Sequence, residues 1–137
     1  MPQTITRSVE DLVAEANREI RVLSVAEAMA LHGRDDVLFV DLRDVRELAK
    51  TGRIPGARHV PRGLLEFWID PKSPYHKPFF AEDRSFVFYC AVSWRSALAT
   101  KAAQDMGLAP VAHFEGGFDA WTEAGGPVEP PKGKREA

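Results

Sequence analysis

The stretch SFVFYCAVSWRS, residues 85–96, contains Cys90, the only cysteine in the chain. The first five residues of this stretch form an apolar and aromatic run of the length that β-strands have. The residues from Ala97 to Met106 favour helix by composition, and Gly107 is placed to end that helix. The sequence therefore predicts that Cys90 lies at a strand-to-helix turn. Backbone N–H groups and a helix dipole can converge there, so the thiol should lose its proton more easily than a free one.

Length and composition favour one domain of ordinary globular type. The chain has 137 residues, of which 45% are hydrophobic and 28% are charged, and its formal net charge is -2. This charge argues against nucleic acid or an anionic membrane as the main partner. No segment looks long and apolar enough to span a bilayer, and the N-terminus lacks the apolar core of a signal peptide. With one cysteine, no internal disulfide is possible, so a reducing cytoplasm is the expected compartment.

Strand-like and helix-like segments alternate along the chain. Strand-length runs occur at residues 20–23, 37–40, 58–60, 85–89 and 111–114, and helical patterns at residues 8–19, 24–31, 44–50, 63–68, 97–106 and 118–124. The links between strands are long enough for crossovers, so the pattern predicts an α/β fold, a sheet covered by helices on both faces. The active site of such a fold lies beyond the carboxyl ends of the strands. Asp41 and Cys90 both end predicted strands.

Three motifs resemble the signatures of rhodanese-like domains. The segments DLRDVRE from Asp41 and GRIPGARHVP from Gly52 resemble the family's D-x-R-x-x-x-E…G-H-I-P-G-A-x-x-I-P. The loop CAVSWRS from Cys90 resembles C-x-x-G-x-R-S, and GGFDAWTEAGGPV from Gly116 resembles G-G-x-x-A-W-x-x-A-G-x-P-V. The resemblance runs from about residue 24 to residue 128. It implies a rhodanese-like α/β fold, with a central, mostly parallel sheet flanked by helices, and it places the family's catalytic cysteine at Cys90.

This resemblance also suggests how the chain is divided. Residues 1–20 would be an N-terminal helical extension, residues 21–128 the rhodanese-like domain, and residues 129–137 a flexible tail. Two positions depart from the family pattern. Ser93 replaces the loop glycine, and if that position needs a positive φ, serine costs about 1 kcal/mol relative to glycine. Arg53 replaces a histidine, and both side chains can donate hydrogen bonds.

The loop after the cysteine is the expected site for a substrate or anion. Its members are Ala91, Val92, Ser93, Trp94, Arg95 and Ser96. Sulfur transfer needs a thiolate and a cradle for a persulfide anion, and a turn with inward-pointing N–H groups supplies both without a side-chain base. On composition alone, a lone cysteine is more often a small buried hydrophobe, but its place in this motif favours catalysis.

Individual loop residues admit more than one role. Arg95 either binds an anionic donor or braces the loop, and a cation in the first turn of a helix favours such a specific role over plain solvation. Ser96 is expected to satisfy a loop N–H. Trp94 lies either at the mouth of the pocket, where it would suit a bulky acceptor, or in the core against residues 64–68.

Asp41 is predicted to support the loop through an ion pair with Arg43 or Arg46. The alternative is an ordinary cap for the helix at residues 44–50, and neither reading makes Asp41 a general base. The four histidines are scattered, and with one cysteine they give no metal-ligand spacing. We therefore predict neither a metal nor a cofactor.

The leading functional hypothesis is a sulfurtransferase that takes sulfane sulfur from a small anionic donor such as thiosulfate. Cys90 would carry the sulfur as a persulfide and pass it to cyanide, a thiol or a protein cysteine. A phosphatase or arsenate reductase is one alternative, although such relatives have a loop one residue longer between the cysteine and the arginine. The other alternative is a non-enzymatic module that binds or regulates a protein partner.

Overall fold

A computed structural model of the protein describes residues 2–131. Within these residues the strands are β1 Arg21–Leu23, β2 Val37–Asp41, β3 Arg58–His59, β4 Ser85–Tyr89 and β5 Val111–Phe114. The α-helices in the same residues are α1 Val9–Glu19, α2 Val25–Leu31, α3 Val45–Thr51, α4 Leu65–Ile69, α5 Trp94–Met106 and α6 Gly117–Glu123. Short 3₁₀ turns precede α4, at Arg62–Leu64, and follow the irregular connection after it, at Pro78–Ala81.

The five strands form one sheet in the order β1-β5-β4-β2-β3, and all four strand pairings are parallel. This arrangement confirms the predicted α/β fold. The strand that leads to the cysteine, β4, lies at the centre of the sheet between β5 and β2. Asp41 pairs in register with Tyr89, so β2 and β4 end side by side. The segment after Tyr89 therefore starts at the carboxyl edge of the sheet, where parallel α/β folds place their active sites.

The sheet is buried on both faces because neighbouring residues of each central strand point to opposite sides. On one face, Val40 and Phe88 pack with α4 and α5 around Leu65 and Ala99. On the other face, Phe39 and Tyr89 belong to a second core that also contains residues of α2 and α6. Every strand residue from Phe86 to Tyr89 is at most 2% exposed. The helices thus hold β4 and the turn that follows it from both sides.

The N-terminal helix α1 begins with a capping box at Ser8, as its sequence predicts. It packs along α5 through a small cluster formed by Val13, Ala16 and Ala97. Its last residue, Glu19, accepts a hydrogen bond on its carbonyl from the side chain of Gln104, 2.8 Å away. Thus α1 is attached to the helix that follows the cysteine loop.

The chain after α6 runs back along the edge of the domain. Arg53 and Glu129 exchange backbone hydrogen bonds of 3.0 and 2.7 Å, so Glu129, the first residue of the predicted tail, is paired. Residues 132–137 of that tail lie outside the described residues. None of the helices in residues 2–131 combines the length and the apolar character that crossing a membrane requires.

His113 is a buried titratable residue on β5, only 1% exposed. Its Nε2 lies 2.8 Å from Asn17 Oδ1 on α1, and its Nδ1 lies 2.8 Å from Ser96 Oγ on α5. Burial lowers the pKa of His113 to about 4 from the ordinary value of 6.5. The folded protein therefore holds this imidazole neutral at pH values where the unfolded chain would protonate it.

We expect the stability of the protein to fall as the pH drops from 7 to 5. In that range the unfolded chain binds a proton at His113 that the folded chain does not, so the free energy of unfolding should fall by about 2 kcal/mol through this group. Urea unfolding at the two pH values measures the loss. A His113→Gln variant is the control, because its loss should be smaller by that amount. Equal losses in both proteins would contradict the assignment.

Candidate active site at the Cys90 loop

Cys90 follows β4 directly, and α5 begins only four residues later, at Trp94. Between them Ser93 adopts the left-handed conformation, with φ 88°, and it is the only non-glycine residue with positive φ in the described part of the chain. The family pattern has glycine at this position, and the structure shows the positive φ that the sequence left open, with its cost of about 1 kcal/mol for serine. This turn folds the chain back so that the start of α5 lies over the cysteine.

The Cys90 sulfur accepts hydrogen bonds from two backbone amides. The N–H groups of Ser93 and Ser96 both point to Sγ, each with a nitrogen-to-sulfur distance of 3.3 Å. Ser96 lies in the first turn of α5, a helix of 13 residues, so the positive end of that helix dipole faces the sulfur. Cys90 itself is 0% exposed. The sulfur is therefore buried, but it accepts from two amide donors, which favour an anion.

Two carbonyl groups at the start of the loop, those of Cys90 and Ala91, accept hydrogen bonds from α6. The Phe118 N–H donates to Cys90 O at 2.8 Å, and the Asp119 N–H donates to Ala91 O at 3.1 Å. Gly117 lies so close beneath the loop that a Cβ there would come within 2.5 Å of Cys90 O. The second glycine of the GG motif therefore allows α6 to hold the loop carbonyls while the amides turn toward Sγ.

Asp41 forms a buried ion pair with Arg43 rather than with Arg46. The Arg43 guanidinium donates through Nη2 to Asp41 Oδ2 at 2.8 Å, and also to Thr51 Oγ1 and Gly52 O. Asp41 is 0% and Arg43 2% exposed. Removing one partner of such a pair costs about 3–5 kcal/mol, since the other charge stays buried. The pair ties the end of β2 to the end of α3, and strand pairing places Asp41 opposite Tyr89 of β4.

Arg46 lies outside this cluster. Its side chain is 90% exposed, and its Nε lies 3.3 Å from Asp44 Oδ1. The helix-cap role proposed as the alternative for Asp41 belongs instead to Asp44, whose side chain accepts from the Arg46 N–H at 2.7 Å. This hydrogen bond lowers the pKa of the Asp44 carboxyl.

Arg95 is held by Glu47 of α3. Two guanidinium nitrogens donate to the two carboxylate oxygens at 2.8 and 3.0 Å, the bidentate geometry that arginine prefers. The hydrogen bonds lower the pKa of Glu47 and raise that of Arg95. An electrostatic interaction with Cys90 also contributes to the raised pKa of Arg95. Both predicted roles are therefore compatible with its position, as a brace between α5 and α3 and as a positive charge near Sγ.

Ser96 differs from expectation in what its hydroxyl binds. It was expected to satisfy a loop N–H, but its Oγ lies 3.2 Å from the carbonyl oxygen of Ser93 and 2.8 Å from Nδ1 of His113. The N–H groups of Ser93 and Ser96 point instead to the cysteine sulfur. The backbone of Ser96 binds Sγ, while its side chain links the loop to β5.

Two apolar loop residues remain at the surface. Val92 is 54% and Trp94 44% exposed, so Trp94 does not fill the core. Leu64 and Phe67, on the segment proposed as its packing partner, are 42% and 54% exposed. The indole and these side chains are available for contact with a molecule larger than an inorganic anion.

Sequence reasoning assigned no role to several residues that the structure brings to the site. Glu47 lies within the motif that begins at Asp41, but nothing local reveals that its partner is 48 positions away. His113 carried a signal, because a histidine inside an otherwise apolar strand needs hydrogen-bond partners. Asn17 lies in a helix for which no part in the site was expected. That Cys90 is the nucleophile stays a prediction.

The chain is similar to proteins whose names describe sulfurtransferases. The chain is 27% identical over 100 residues to the Mus musculus thiosulfate sulfurtransferase/rhodanese-like domain-containing protein 3, a match of 69% of this chain and 64% of that protein. It thus spans less than two thirds of that relative's length. It is also 27% identical over 107 residues to the human thiosulfate:glutathione sulfurtransferase, covering 74% of this chain and 92% of the relative.

Among solved structures, a protein of unknown function from Rhodopseudomonas palustris, described as a possible tyrosine phosphatase, superposes with a TM-score of 0.92. It is 61% identical, and the match covers 94% of this chain and 99% of the other. The family model for the rhodanese-like domain matches residues 24–124. That match takes in well over half of the chain, and the chain therefore belongs to the rhodanese-like domain family.

Proposed function

We propose that this protein is a sulfurtransferase that carries sulfane sulfur as a persulfide on Cys90. The observation that supports this most directly is the pair of backbone amides, from Ser93 and Ser96, that donate to the sulfur at 3.3 Å. Such donors stabilise a thiolate, and the thiolate is the form of cysteine that attacks a sulfur donor. The names of the mouse and human relatives, which mention thiosulfate sulfurtransferase and thiosulfate:glutathione sulfurtransferase, agree with this chemistry.

In the first step the Cys90 thiolate attacks the outer sulfur of thiosulfate. A bond forms between Sγ and that sulfur, the sulfur–sulfur bond of the donor breaks, and sulfite leaves with the bonding electron pair. The product is a persulfide anion on Cys90. In the second step a cyanide ion or a thiolate attacks the outer sulfur of the persulfide. The bond to Sγ then breaks, and Cys90 is regenerated as the thiolate.

The charge around the loop fits an anionic donor. Thiosulfate carries two negative charges, and it would approach the positive end of α5 and the Arg95 guanidinium. Because Glu47 accepts from two of its nitrogens, Arg95 is held in one orientation and keeps only part of its hydrogen-bonding capacity for a ligand. Acceptors with more bulk than cyanide would meet the exposed Trp94 and Val92.

The length of the loop weighs against the phosphatase alternative, which the description of the Rhodopseudomonas protein also raises. Only four residues separate Cys90 from Arg95, one fewer than in the phosphatases and arsenate reductases of similar fold. A shorter loop leaves less room for a tetrahedral oxyanion. Of its amides, those of Ser93 and Ser96 are directed at Sγ. Hydrolysis of an aryl phosphate, measured in parallel with sulfur transfer, separates the two activities.

Incubation with thiosulfate should add the mass of one sulfur atom to the protein, and cyanide should then remove it and yield thiocyanate. Intact-mass spectrometry before and after a reductant measures the persulfide, and thiocyanate formation measures turnover. A Cys90→Ser variant should show neither signal, because the hydroxyl of serine cannot form a persulfide.

Failure of the wild-type protein to gain sulfur from thiosulfate, from polysulfide and from a persulfide donor would contradict the proposal. If Cys90 also failed to react with iodoacetamide at neutral pH, the result would favour the non-enzymatic binding module instead. Phosphatase activity that depends on Cys90, in the absence of sulfur transfer, would favour the other alternative.

A Ser93→Gly variant should be more stable than the wild type and should still form the persulfide. Glycine adopts the φ of 88° without strain, so we expect the free energy of unfolding to rise by about 0.5–1 kcal/mol, while the N–H that binds Sγ is kept. The matched control is Ser24→Gly, where φ is -74° and a capping side chain is lost, so stability should fall. A loss of stability in Ser93→Gly comparable to that in Ser24→Gly would show that the left-handed turn carries no strain.

A further inference from the structure

A chain of hydrogen bonds connects the N-terminal helix with the loop around Cys90. It runs from Asn17 Oδ1 to His113 Nε2 and from His113 Nδ1 to Ser96 Oγ, each step 2.8 Å long. Ser96 in turn donates its backbone N–H to the Cys90 sulfur, and its Oγ lies 3.2 Å from the carbonyl of Ser93. The imidazole at the centre of this chain is 1% exposed, and the mechanism above does not use it.

With the Asn17 amide oriented as in this structure, Oδ1 toward the imidazole, the proton count sets the direction of these hydrogen bonds. A neutral imidazole carries a single N–H, and Asn17 Oδ1 can only accept, so the hydrogen of His113 lies on Nε2. Nδ1 is then an acceptor, and the Ser96 hydroxyl donates to it. In the opposite tautomer, Nδ1 would donate to Ser96, whose own hydrogen would then turn to the Ser93 carbonyl. The partner of Nε2 therefore decides which way the Ser96 side chain is bonded.

The packing of α1 keeps Asn17 in place. Val13 and Ala16 of α1 pack against Ala97, which directly follows Ser96. Residues of α5 bind the end of α1 as well, because Gln104 donates to Glu19 O and Lys101 lies 3.4 Å from the Glu19 carboxylate. Asn17 also precedes the segment that matches the family model, residues 24–124. Asn17 thus lies outside the matched residues, whereas His113 and Ser96 lie within them.

We propose that Asn17, acting through His113 and Ser96, is a positioning residue for the amide donors that surround the Cys90 sulfur. The N-terminal helix is in this sense part of the candidate site rather than an appendage to the domain. The effect of Asn17 on sulfur transfer rests on the function proposed above, whereas its effect on the reactivity of Cys90 does not. The proposal requires an acceptor at position 17, not only a side chain of suitable volume.

The test compares Asn17→Leu with Asn17→Asp in the full-length protein. Leucine removes the acceptor that the exposed Asn17 supplies to the Nε2–H of the buried His113, whereas aspartate keeps one. We expect the alkylation of Cys90 by iodoacetamide and the formation of persulfide from thiosulfate to be about tenfold slower in Asn17→Leu. That loss is smaller than the effect of removing a donor from an anion site outright. In Asn17→Asp both rates should stay close to those of the wild type.

The tautomer of His113 provides a second measurement. It would not change if Asn17 served only to stabilise the fold. Nitrogen-15 NMR of the histidine ring should show hydrogen on Nε2 in the wild type and in Asn17→Asp, and a loss of that preference in Asn17→Leu. Arg18→Leu, at an exposed neighbouring position on α1, is the matched control and should resemble the wild type in every measurement.

Equal rates and an unchanged tautomer in Asn17→Leu and Arg18→Leu would overturn the proposal. So would an equal loss of rate in the leucine and aspartate variants, because the acceptor would then be irrelevant. If the wild type forms no persulfide but its alkylation still depends on position 17, the proposed function fails while the positioning role stands. The two proposals are therefore tested separately.

Discussion

The convergence of two backbone N–H groups on one buried sulfur atom is the constraint on which the rest of this structure depends. A neutral thiol has little need of such donors, whereas a buried sulfur anion requires them. To bring the amides of Ser93 and Ser96 to the same point, the chain must turn within four residues from a central strand into a helix. That turn passes through a left-handed serine, a conformation that L-amino acids adopt at a cost.

The surrounding elements hold this turn in place from several directions. Beneath it, two amides of α6 bind the loop carbonyls, and Gly117 permits the close approach. To one side, the buried pair of Asp41 and Arg43 fixes the end of the neighbouring strand. From α3, Glu47 holds Arg95 at the start of α5. The contacts from α6 and α3 join the loop to residues distant in sequence, so the loop geometry is a property of the folded domain rather than of the loop peptide.

The parts of the site that the sequence predicted depend on residues that lie close together along the chain. Cys90 was placed at a strand-to-helix turn because an apolar run, a lone cysteine and a helix-forming segment follow one another directly. The left-handed position was suggested by the family glycine that Ser93 replaces. The sequence left Arg43 and Arg46 as possible partners of Asp41. In the structure the partner is Arg43, whose side chain is buried with Asp41 and is 2% exposed. The Ser96 hydroxyl was expected to satisfy a loop N–H. In the structure it lies beside the Ser93 carbonyl and beside His113 of β5, which is distant in sequence.

The sequence by itself determined the alternation of strands and helices, the α/β fold, and the position of the cysteine at the carboxyl end of a strand. These follow from hydrophobic patterning, capping residues and glycine placement, which act over a few neighbouring residues. Only the tertiary structure decided that Glu47 meets Arg95 and that Asn17 reaches the loop through His113. Such pairings depend on the order of strands in the sheet and on how helices pack across it. No local sequence pattern predicts a contact between residues that are 48 or 96 positions apart.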